Sequence, residues 1–175
     1  MIKRLIFKLQ LRVAGAYKRA KLYQKKYGMK IGNNCVIWGS VDFGSEPYLI
    51  TIGDHVEITD NVRFITHDGG VLVLNNMRVL QNADVFGKIS IGNNVFIGLN
   101  SIILPGTIIE DNVVIGAGSV VRGHLKKNSV YAGVPVRRIK SIEEYAEKMC
   151  TISDPTYGMP ADEKRKYLTK KFDLR

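Results

Sequence analysis

The chain has 175 residues, of which 45% are hydrophobic, and a formal net charge of +10. This length and composition fit one soluble domain with short terminal additions. The apolar N-terminal stretch is interrupted by Lys8 and Arg12, and no apolar run reaches the roughly 18 residues of a membrane helix. The sequence therefore predicts neither a membrane span nor a signal peptide and favours the cytoplasm. In that compartment we expect Cys35 and Cys150 to be free thiols.

The N-terminal segment, residues 1–30, holds ten of the 26 basic residues and none of the 16 acidic ones. Apolar residues recur at helical spacing over residues 2–20, which predicts a basic amphipathic helix. Such a helix could cap the end of the domain that follows, or it could hold the protein peripherally at the anionic inner face of a membrane. Nucleic acid is the less favoured anion because no nucleic-acid-binding fold is recognisable around the segment.

From residue 31 onward a large apolar side chain recurs every six positions. Two series of three hexads are offset from each other by three extra residues, and an interruption separates them from an unbroken third series. Repeats of this kind decide the architecture before any other signal. The apolar positions are Ile31, Ile37, Phe43, then Ile52, Ile58, Phe64, and finally Ile91, Ile97, Ile103, Ile109, Ile115 and Val121.

Each hexad predicts one short strand and one turn, because β-branched residues dominate and Gly, Asn and Asp mark the corners. Three hexads, about 18 residues, close one triangular coil, and the apolar position stacks on its equivalent in the next coil. A Rossmann-type βαβ fold is disfavoured because no helix-length pattern interrupts residues 91–121. Side chains that fit the tight inner corners follow four positions later, at Cys35, Val56, Val95 and Ser119.

The hexads, together with YAGVPVRRI at residues 131–139, resemble the hexapeptide-repeat acyltransferases, particularly members that acetylate sugars of bacterial surface polysaccharides. The resemblance implies an all-β fold, a left-handed parallel β-helix over residues 31–140, and assembly into a homotrimer. Residues 1–30 and 141–175 would be helical additions. A possible capping box at Ser141 and Glu144 supports a helix in the second of these.

Residues 67–90 break the repeat and predict a loop that protrudes from the coil, where binding groups usually lie. His67 begins this loop, and a neutral imidazole suits removal of a hydroxyl proton at cytoplasmic pH. Family members carry a catalytic histidine at the start of a comparable loop, so the resemblance implies that His67 is the general base. Asp68 is the nominal residue for orienting it, although a turn role before Gly69 stays open. Polar loop side chains suited to a polyhydroxyl acceptor include Asn82 and Asp84.

The acyl donor site is implied by the resemblance of residues 115–140 to the family signature. Coenzyme A lies in the family along a groove between two subunits, with its phosphates on basic residues after the AGVP sequence. Charge-assisted contacts are the expected physics for such a polyanion. An oxyanion would be held by the backbone N–H of Gly98 or Leu99, since position 99 lacks a hydroxyl. Carried over by position, the groove residues are Ala117 and Ser119, and the phosphate contacts are Arg137 or Arg138, and Lys140.

These features predict an acetyltransferase that moves an acetyl group from acetyl-CoA to a hydroxyl of a sugar or surface-polysaccharide precursor. N-acetylation of an amino sugar nucleotide and a non-catalytic β-helix scaffold are the alternatives. Zinc-dependent carbonic anhydrases share this type of coil, but a zinc site normally needs about three protein ligands in tight geometry. His55, His67 and His124 are the only histidines and are widely separated, so we expect no metal.

Overall fold

The computed structural model describes the backbone of residues 2–174, with all side chains from Leu5 onward except Lys8. The chain divides into two compact units, the first ending at Glu143 and the second beginning at Glu144. The strands are β1 (Lys30–Ile31), β2 (Val36–Ile37), β3 (Ile50–Ile52), β4 (Glu57–Ile58), β5 (Arg63–Phe64), β6 (Ile89–Ile91), β7 (Val95–Ile97), β8 (Ile102–Ile103), β9 (Ile108–Ile109), β10 (Val113–Ile115), β11 (Val120–Val121), β12 (His124–Leu125), β13 (Ser129–Ala132) and β14 (Arg137–Ser141). The helices are α1 (Ile2–Val13), α2 (Ala16–Tyr27), α3 (Val71–Asn76), α4 (Ile142–Ile152) and α5 (Ala161–Lys171).

The strands form three parallel sheets, and each turn of the chain adds one strand to each sheet. Sheet A has the order β1-β3-β6-β9-β12, sheet B the order β14-β13-β10-β7-β4-β2, and sheet C the order β11-β8-β5. Only β14 runs antiparallel to its neighbour among these strands. This repeated three-sided coil is the architecture that the six-residue period predicts.

The register follows the hexads and their interruptions. Phe96 in β7 pairs with Val114 in β10, 18 residues further along, which is one coil of three hexads. Val36 pairs with Glu57, 21 residues further along, because three extra residues lie between the first two coils. The inward-facing apolar side chains form one continuous core of stacked columns; one column is Ile37, Ile58, Ile97 and Ile115, each with at most 1% of its surface exposed.

The corner between sheets A and B is built from residues with a left-handed backbone. Asn94, Asn112 and Asn128 have φ between 53° and 56°, a conformation that asparagine tolerates better than most residues. Their amides form a ladder, in which Asn94 Nδ2 donates to Asn112 Oδ1 at 2.8 Å and Asn112 Nδ2 donates to Asn128 Oδ1 at 2.9 Å. The corner asparagines thus stabilise both the turn and the stacking of coils.

The N-terminal segment forms two helices where the sequence predicts one over residues 2–20. The break falls at Gly15, whose extended backbone (φ −64°, ψ 159°) precedes the first residue of α2. Helix α2 buries Ala20 and Tyr23 over the open end of the first coil. The Tyr23 ring packs against Phe43 at 4.8 Å between ring centroids, so the aromatic contacts extend the β-helix core into the helix pair.

The two cysteines are free, Cys35 buried and Cys150 exposed, as expected. The thiol of Cys35 donates to the carbonyl of Gly53 at 3.1 Å, and burial raises its pKa. These contacts fit the packing role expected for this position and make it a poor nucleophile.

In the second unit, α5 is tied to the preceding turn by Asp154, which accepts hydrogen bonds from Tyr167 Oη at 2.8 Å and Lys171 Nζ at 2.6 Å. None of the helices in the described residues is long and apolar enough to span a bilayer.

Candidate active site

His67 is fixed at the base of the protruding loop by pairing of the loop's two ends. The N–H of Gly87 donates to the carbonyl of Thr66 and the N–H of Asp68 donates to the carbonyl of Val85, both at 2.8 Å. His67 itself forms an antiparallel bridge with Phe86. The loop leaves the coil just after β5 and returns at Ile89, the start of β6, so the repeat resumes two residues before Ile91, where the hexad pattern places it. Its base is therefore a short ladder rather than a flexible hinge.

The His67 ring lies against Glu46, which belongs to the preceding coil. His67 Nδ1 is 3.4 Å from Glu46 Oε2 and 3.2 Å from Ser45 Oγ. The same carboxylate oxygen accepts hydrogen bonds from Thr66 Oγ1 at 2.8 Å and from Ser45 Oγ at 2.9 Å. Three groups from two adjacent coils thus converge on one oxygen of Glu46.

These hydrogen bonds keep Glu46 ionised and select one form of the imidazole. The pKa of Glu46 is lowered, chiefly by the Thr66 hydroxyl, with smaller contributions from Ser45 and His67 that outweigh partial burial. An ionised carboxylate can only accept a hydrogen bond, so the favoured tautomer of His67 carries its proton on Nδ1. Nε2 is then left with a lone pair, which is the arrangement that a general base requires.

A cleft of about 350 Å³ opens beside this histidine. About half of the His67 side chain (48%) is exposed, so a ligand in the cleft can reach the ring. Phe86 forms part of the wall, with its ring centroid 6.4 Å from that of His67. The remaining lining comes from the loop and from the Ser45–Glu46 turn: Asp68, Gly69, Val71, Leu72, Asn75, Asp84 and Val85.

Two sequence predictions for the loop need correction. The carboxylate of Asp68 accepts the N–H of Gly70 at 2.9 Å, so it closes a local turn, and Glu46 takes the place beside the imidazole. Asn82 is exposed on another side of the loop and does not line the cleft. Asp84 does line it, as predicted, and Asn75 lines it while binding both backbone groups of Ala83.

The sequence could have indicated Glu46, because the offset between the first two coils is known. The pairs Lys30 with Thr51 and Asp42 with Arg63 are both separated by 21 residues. The residue 21 positions before His67 is Glu46. Its hexad, FGSEPY, is also the point at which the three extra residues enter, so two irregular segments stack on each other.

The predicted donor residues gather at a different corner, where the chain passes from sheet B to sheet C. Leu99 follows β7 and Ala117 follows β10, and both are exposed. The carbonyl of Leu99 accepts the N–H of Gly118 at 2.7 Å, which stacks the two turns. Arg137 pairs with Ala132 at the end of β13 and so lies at the same corner.

Other members of the predicted donor set are placed differently. The N–H of Gly98 donates to the carbonyl of Ile115 at 2.9 Å, so it is not free for an oxyanion. Ser119 is fully buried and its hydroxyl donates to the carbonyl of Gly116 at 2.6 Å, so it fills the inner corner and cannot line a groove. Arg138 donates through Nε to Ser129 Oγ at 3.0 Å. Lys140 continues along β14, opposite Val130 of β13.

One chain therefore separates the candidate base from the candidate donor contacts. His67 lies at the corner between sheets C and A, after β5, whereas Leu99, Ala117 and Arg137 lie at the corner between sheets B and C. One side of a coil contains about six residues and is roughly 15 to 20 Å wide. A single chain presents two half-sites on opposite edges of sheet C.

The other two histidines have structural surroundings. His55 takes a left-handed corner position, with φ of 56°. His124 Nε2 lies 2.6 Å from Glu110 Oε1, and that carboxylate also accepts the N–H of Lys127 at 2.9 Å. Within residues 2–174, no cluster of three or more His, Cys, Asp or Glu side chains is arranged to hold a metal ion.

Comparison with known proteins matches residues 88–122 to the hexapeptide repeat of succinyl-transferase. Protein CapG of Staphylococcus aureus is 48% identical over 174 residues, 98% of this chain and 96% of the relative. Galactoside O-acetyltransferase of Escherichia coli K12 is 43% identical over 100 residues, 57% of this chain and 47% of that protein, so the chain spans about half of this relative. The crystal structure of a maltose O-acetyltransferase from Clostridium difficile 630 aligns with a TM-score of 0.55 and 30% identity over 71% of this chain and 74% of that one. The chain belongs to the hexapeptide-repeat acyltransferase family.

Proposed function

We propose that the protein transfers an acetyl group from acetyl-CoA to a hydroxyl group of a sugar or surface-polysaccharide precursor, with His67 as the general base. The observation that carries this proposal is the contact of His67 Nδ1 with the Glu46 carboxylate, which leaves Nε2 facing an open cleft. The E. coli relatives support the acceptor class, since one is a galactoside O-acetyltransferase and another a putative lipopolysaccharide biosynthesis O-acetyl transferase, 39% identical over 101 residues. A solved galactoside acetyltransferase in complex with coenzyme A, 26% identical with a TM-score of 0.50, supports the donor.

The reaction proceeds by direct attack in a ternary complex. Nε2 of His67 takes the proton of the acceptor hydroxyl as its oxygen bonds to the thioester carbonyl carbon. The carbonyl oxygen becomes an oxyanion, for which the N–H of Leu99 is the remaining candidate donor because that of Gly98 is occupied. The carbon–sulfur bond then breaks, and the departing thiolate of coenzyme A recovers the proton from His67.

The cleft walls suit an acceptor that has both hydroxyl groups and an apolar ring face. Asp84 and Asn75 offer hydrogen-bonding groups, and the exposed ring of Phe86 offers a flat surface next to His67. We assign Asp84 a role in acceptor binding and leave Asn82 out of it, since it lies away from the cleft.

We further propose that the working unit is a homotrimer of left-handed coils, with residues 31–140 as the catalytic domain. The separation of the two half-sites supports this arrangement, because a neighbouring subunit can bring its B–C corner to the His67 corner. The outward residues also differ between sheets. Sheets B and C present apolar pairs such as Phe96 with Val114 and Ile102 with Val120, whereas sheet A presents polar ones such as Thr51 with Ser90. Cyclic symmetry would cover the apolar faces at once, and light scattering should give about three times 19.6 kDa.

N-acetylation of an amino sugar nucleotide is the second candidate. It is favoured by a dTDP-4-amino-4,6-dideoxy-D-glucose acyltransferase from E. coli that is 30% identical over 104 residues. The same imidazole could take a proton from an amine, so the catalytic geometry alone does not separate the two reactions.

The deciding experiment measures acceptor-dependent release of coenzyme A thiol from acetyl-CoA. Galactosides, maltose and a dTDP-linked amino sugar serve as acceptors, and mass spectrometry of the product distinguishes an ester from an amide. We expect release with a hydroxyl acceptor and its loss in His67→Ala. Release with the amino sugar alone would replace the first candidate by the second. Acceptor-dependent release that persists in His67→Ala would remove His67 from the mechanism.

A further inference from the structure

Helix α1 has one apolar face that is fully used in the fold. Phe7 is buried, with its ring 5.8 Å from the rings of Tyr23 and Tyr27 in an edge-to-face arrangement. Leu11, one helical turn later, packs against the same core, and its carbonyl accepts a hydrogen bond from Arg19 Nε at 3.0 Å. This inner face, together with α2, closes the end of the β-helix.

A second apolar face of α1 lies on the opposite side of the helix. Leu5, Leu9 and Val13 are 70%, 61% and 80% exposed, and Ile6 beside them is 50% exposed. With about 100° of rotation per residue, Leu9 lies roughly 200° from Phe7 around the helix. Closing the β-helix does not require this outer face, since the contacts that do so are made from the other side.

The charges around the outer face all have the same sign. Residues 1–30 contain ten basic and no acidic residues. Arg19 is half-buried in the contact with α1, but most of the other described cations in the two helices and just after them are exposed: Arg12, Lys18, Lys21, Lys25, Lys26 and Lys30. An exposed apolar stripe bordered by cations is complementary to a bilayer with anionic headgroups, where the stripe enters the interface and each nearby cation raises the partition coefficient about fivefold.

The same charges argue against a second copy of this chain as the partner. Symmetric contact between two such faces would bring cations from each copy together without one acidic residue from the segment to pair with them. Like charges placed opposite each other disfavour association. Nucleic acid would satisfy the cations but offers no apolar phase for Leu5, Leu9 and Val13.

We propose that the outer face of α1, with the exposed cations of α1 and α2, docks the protein on an anionic lipid bilayer. The docking surface is next to the candidate active site. Glu46 and His67 belong to the first two coils, which are the coils nearest to α2, and successive coils are only about 4.8 Å apart. Docking would thus hold the His67 cleft close to the lipid surface, within reach of an acceptor that is attached to lipid.

Vesicle sedimentation of the full chain tests this proposal. The probes are vesicles of phosphatidylcholine alone and vesicles that also contain phosphatidylglycerol. The test variant is Leu5→Ser/Leu9→Ser/Val13→Ser, and the matched control, Ile152→Ser/Phe172→Ser/Leu174→Ser, removes three exposed apolar side chains from the other end of the chain. Circular dichroism and light scattering of each variant verify that fold and oligomeric state are retained.

We expect the wild type and the control variant to sediment with the anionic vesicles, to stay in solution with the neutral ones, and to be released by salt. The α1 variant should bind at least about tenfold more weakly. Equal binding by the α1 variant, or equal binding to neutral vesicles, would overturn the proposal. A wild type that ignores vesicles, combined with an α1 variant that dissociates into monomers, would assign the face to a subunit contact. Because the assay needs neither acetyl-CoA nor an acceptor, its failure would leave the proposed acetyl transfer untouched.

Discussion

Replacement of Glu46 by Gln tests whether the carboxylate acts through His67. Glutamine keeps the shape of the side chain and can still accept hydrogen bonds from the Ser45 and Thr66 hydroxyls. It loses the negative charge that favours the Nδ1–H tautomer and stabilises the imidazolium formed when His67 takes a proton. Since the change leaves the cleft walls intact, we expect turnover to fall while the KM for acceptor changes little.

The size of this effect follows from the geometry of the contact. Removing a general base costs about 10²- to 10⁴-fold in turnover, which we expect for His67→Ala. The distance of 3.4 Å between His67 Nδ1 and Glu46 Oε2 is longer than the 2.7 to 2.9 Å typical of a strong charge-assisted hydrogen bond. The histidine side chain is also 48% exposed, so water screens the pair. Glu46→Gln should therefore lower turnover by roughly 10- to 100-fold, less than loss of the base itself.

A double-mutant comparison separates this role from a general loss of structure. If Glu46 works only through His67, the double variant should be as slow as His67→Ala alone, within about threefold. The matched control is Glu57→Gln, a carboxylate at a different corner of the neighbouring coil that accepts the indole N–H of Trp38 at 2.7 Å. Additive losses in the double variant, or an equal loss of turnover in Glu57→Gln, would refute the reasoning.

Three further predictions concern the donor corner and the stability of the coils. Arg137→Ala should weaken acetyl-CoA binding in calorimetry, most strongly at low salt, and Arg138→Ala should weaken it less because that guanidinium is already engaged. The pKa of Glu110 is lowered from 4.5 to about 2, chiefly by a backbone N–H, so its contribution to stability is full above its unfolded pKa and is lost as the pH falls from there toward 2. Denaturation of Glu110→Gln should therefore depend less on pH in that range than the wild type. Asn112→Ala should lower the free energy of unfolding by about 1 to 3 kcal/mol, since it removes two ladder bonds at a left-handed position, and Asn112→Gly should cost less because glycine adopts that backbone without strain.

The repeat was predictable because every coil obeys the same physical constraint. An inward β-branched or aliphatic residue every six positions has to meet its equivalent one coil away, and the register of Phe96 with Val114 follows directly. The break at Gly15 was not predictable from the spacing of apolar residues, which continues at helical intervals through it. Backbone geometry at one glycine overrides that pattern.

The site was predictable only where one segment carries the information. His67 starts the one long interruption of the repeat, so its loop position could be inferred from the chain alone. Its partner Glu46 comes from another coil, and finding it requires the 21-residue offset as well as the hexad. Ser119 shows the opposite error, because the position that makes it an inner-corner residue also keeps it out of any groove. Family resemblance named the position, but burial decides what its side chain can touch.

Hybrid trimers provide the strictest test of the divided site. His67→Ala removes the base at the C–A corner, and Ala117→Trp should block the donor groove at the B–C corner, where Ala117 is exposed and a bulky side chain can be accommodated without disturbing the core. Each homotrimer should be inactive. If a site pairs His67 of one subunit with the B–C corner of its neighbour, any trimer that contains both variants has one intact site among its three interfaces. Co-expression with two affinity tags and sequential purification isolates these hybrids, and we expect about one-third of wild-type turnover. Inactive hybrids of normal trimeric size would mean that the two half-sites do not meet across a subunit boundary, and the donor would then have to bind at the His67 corner itself.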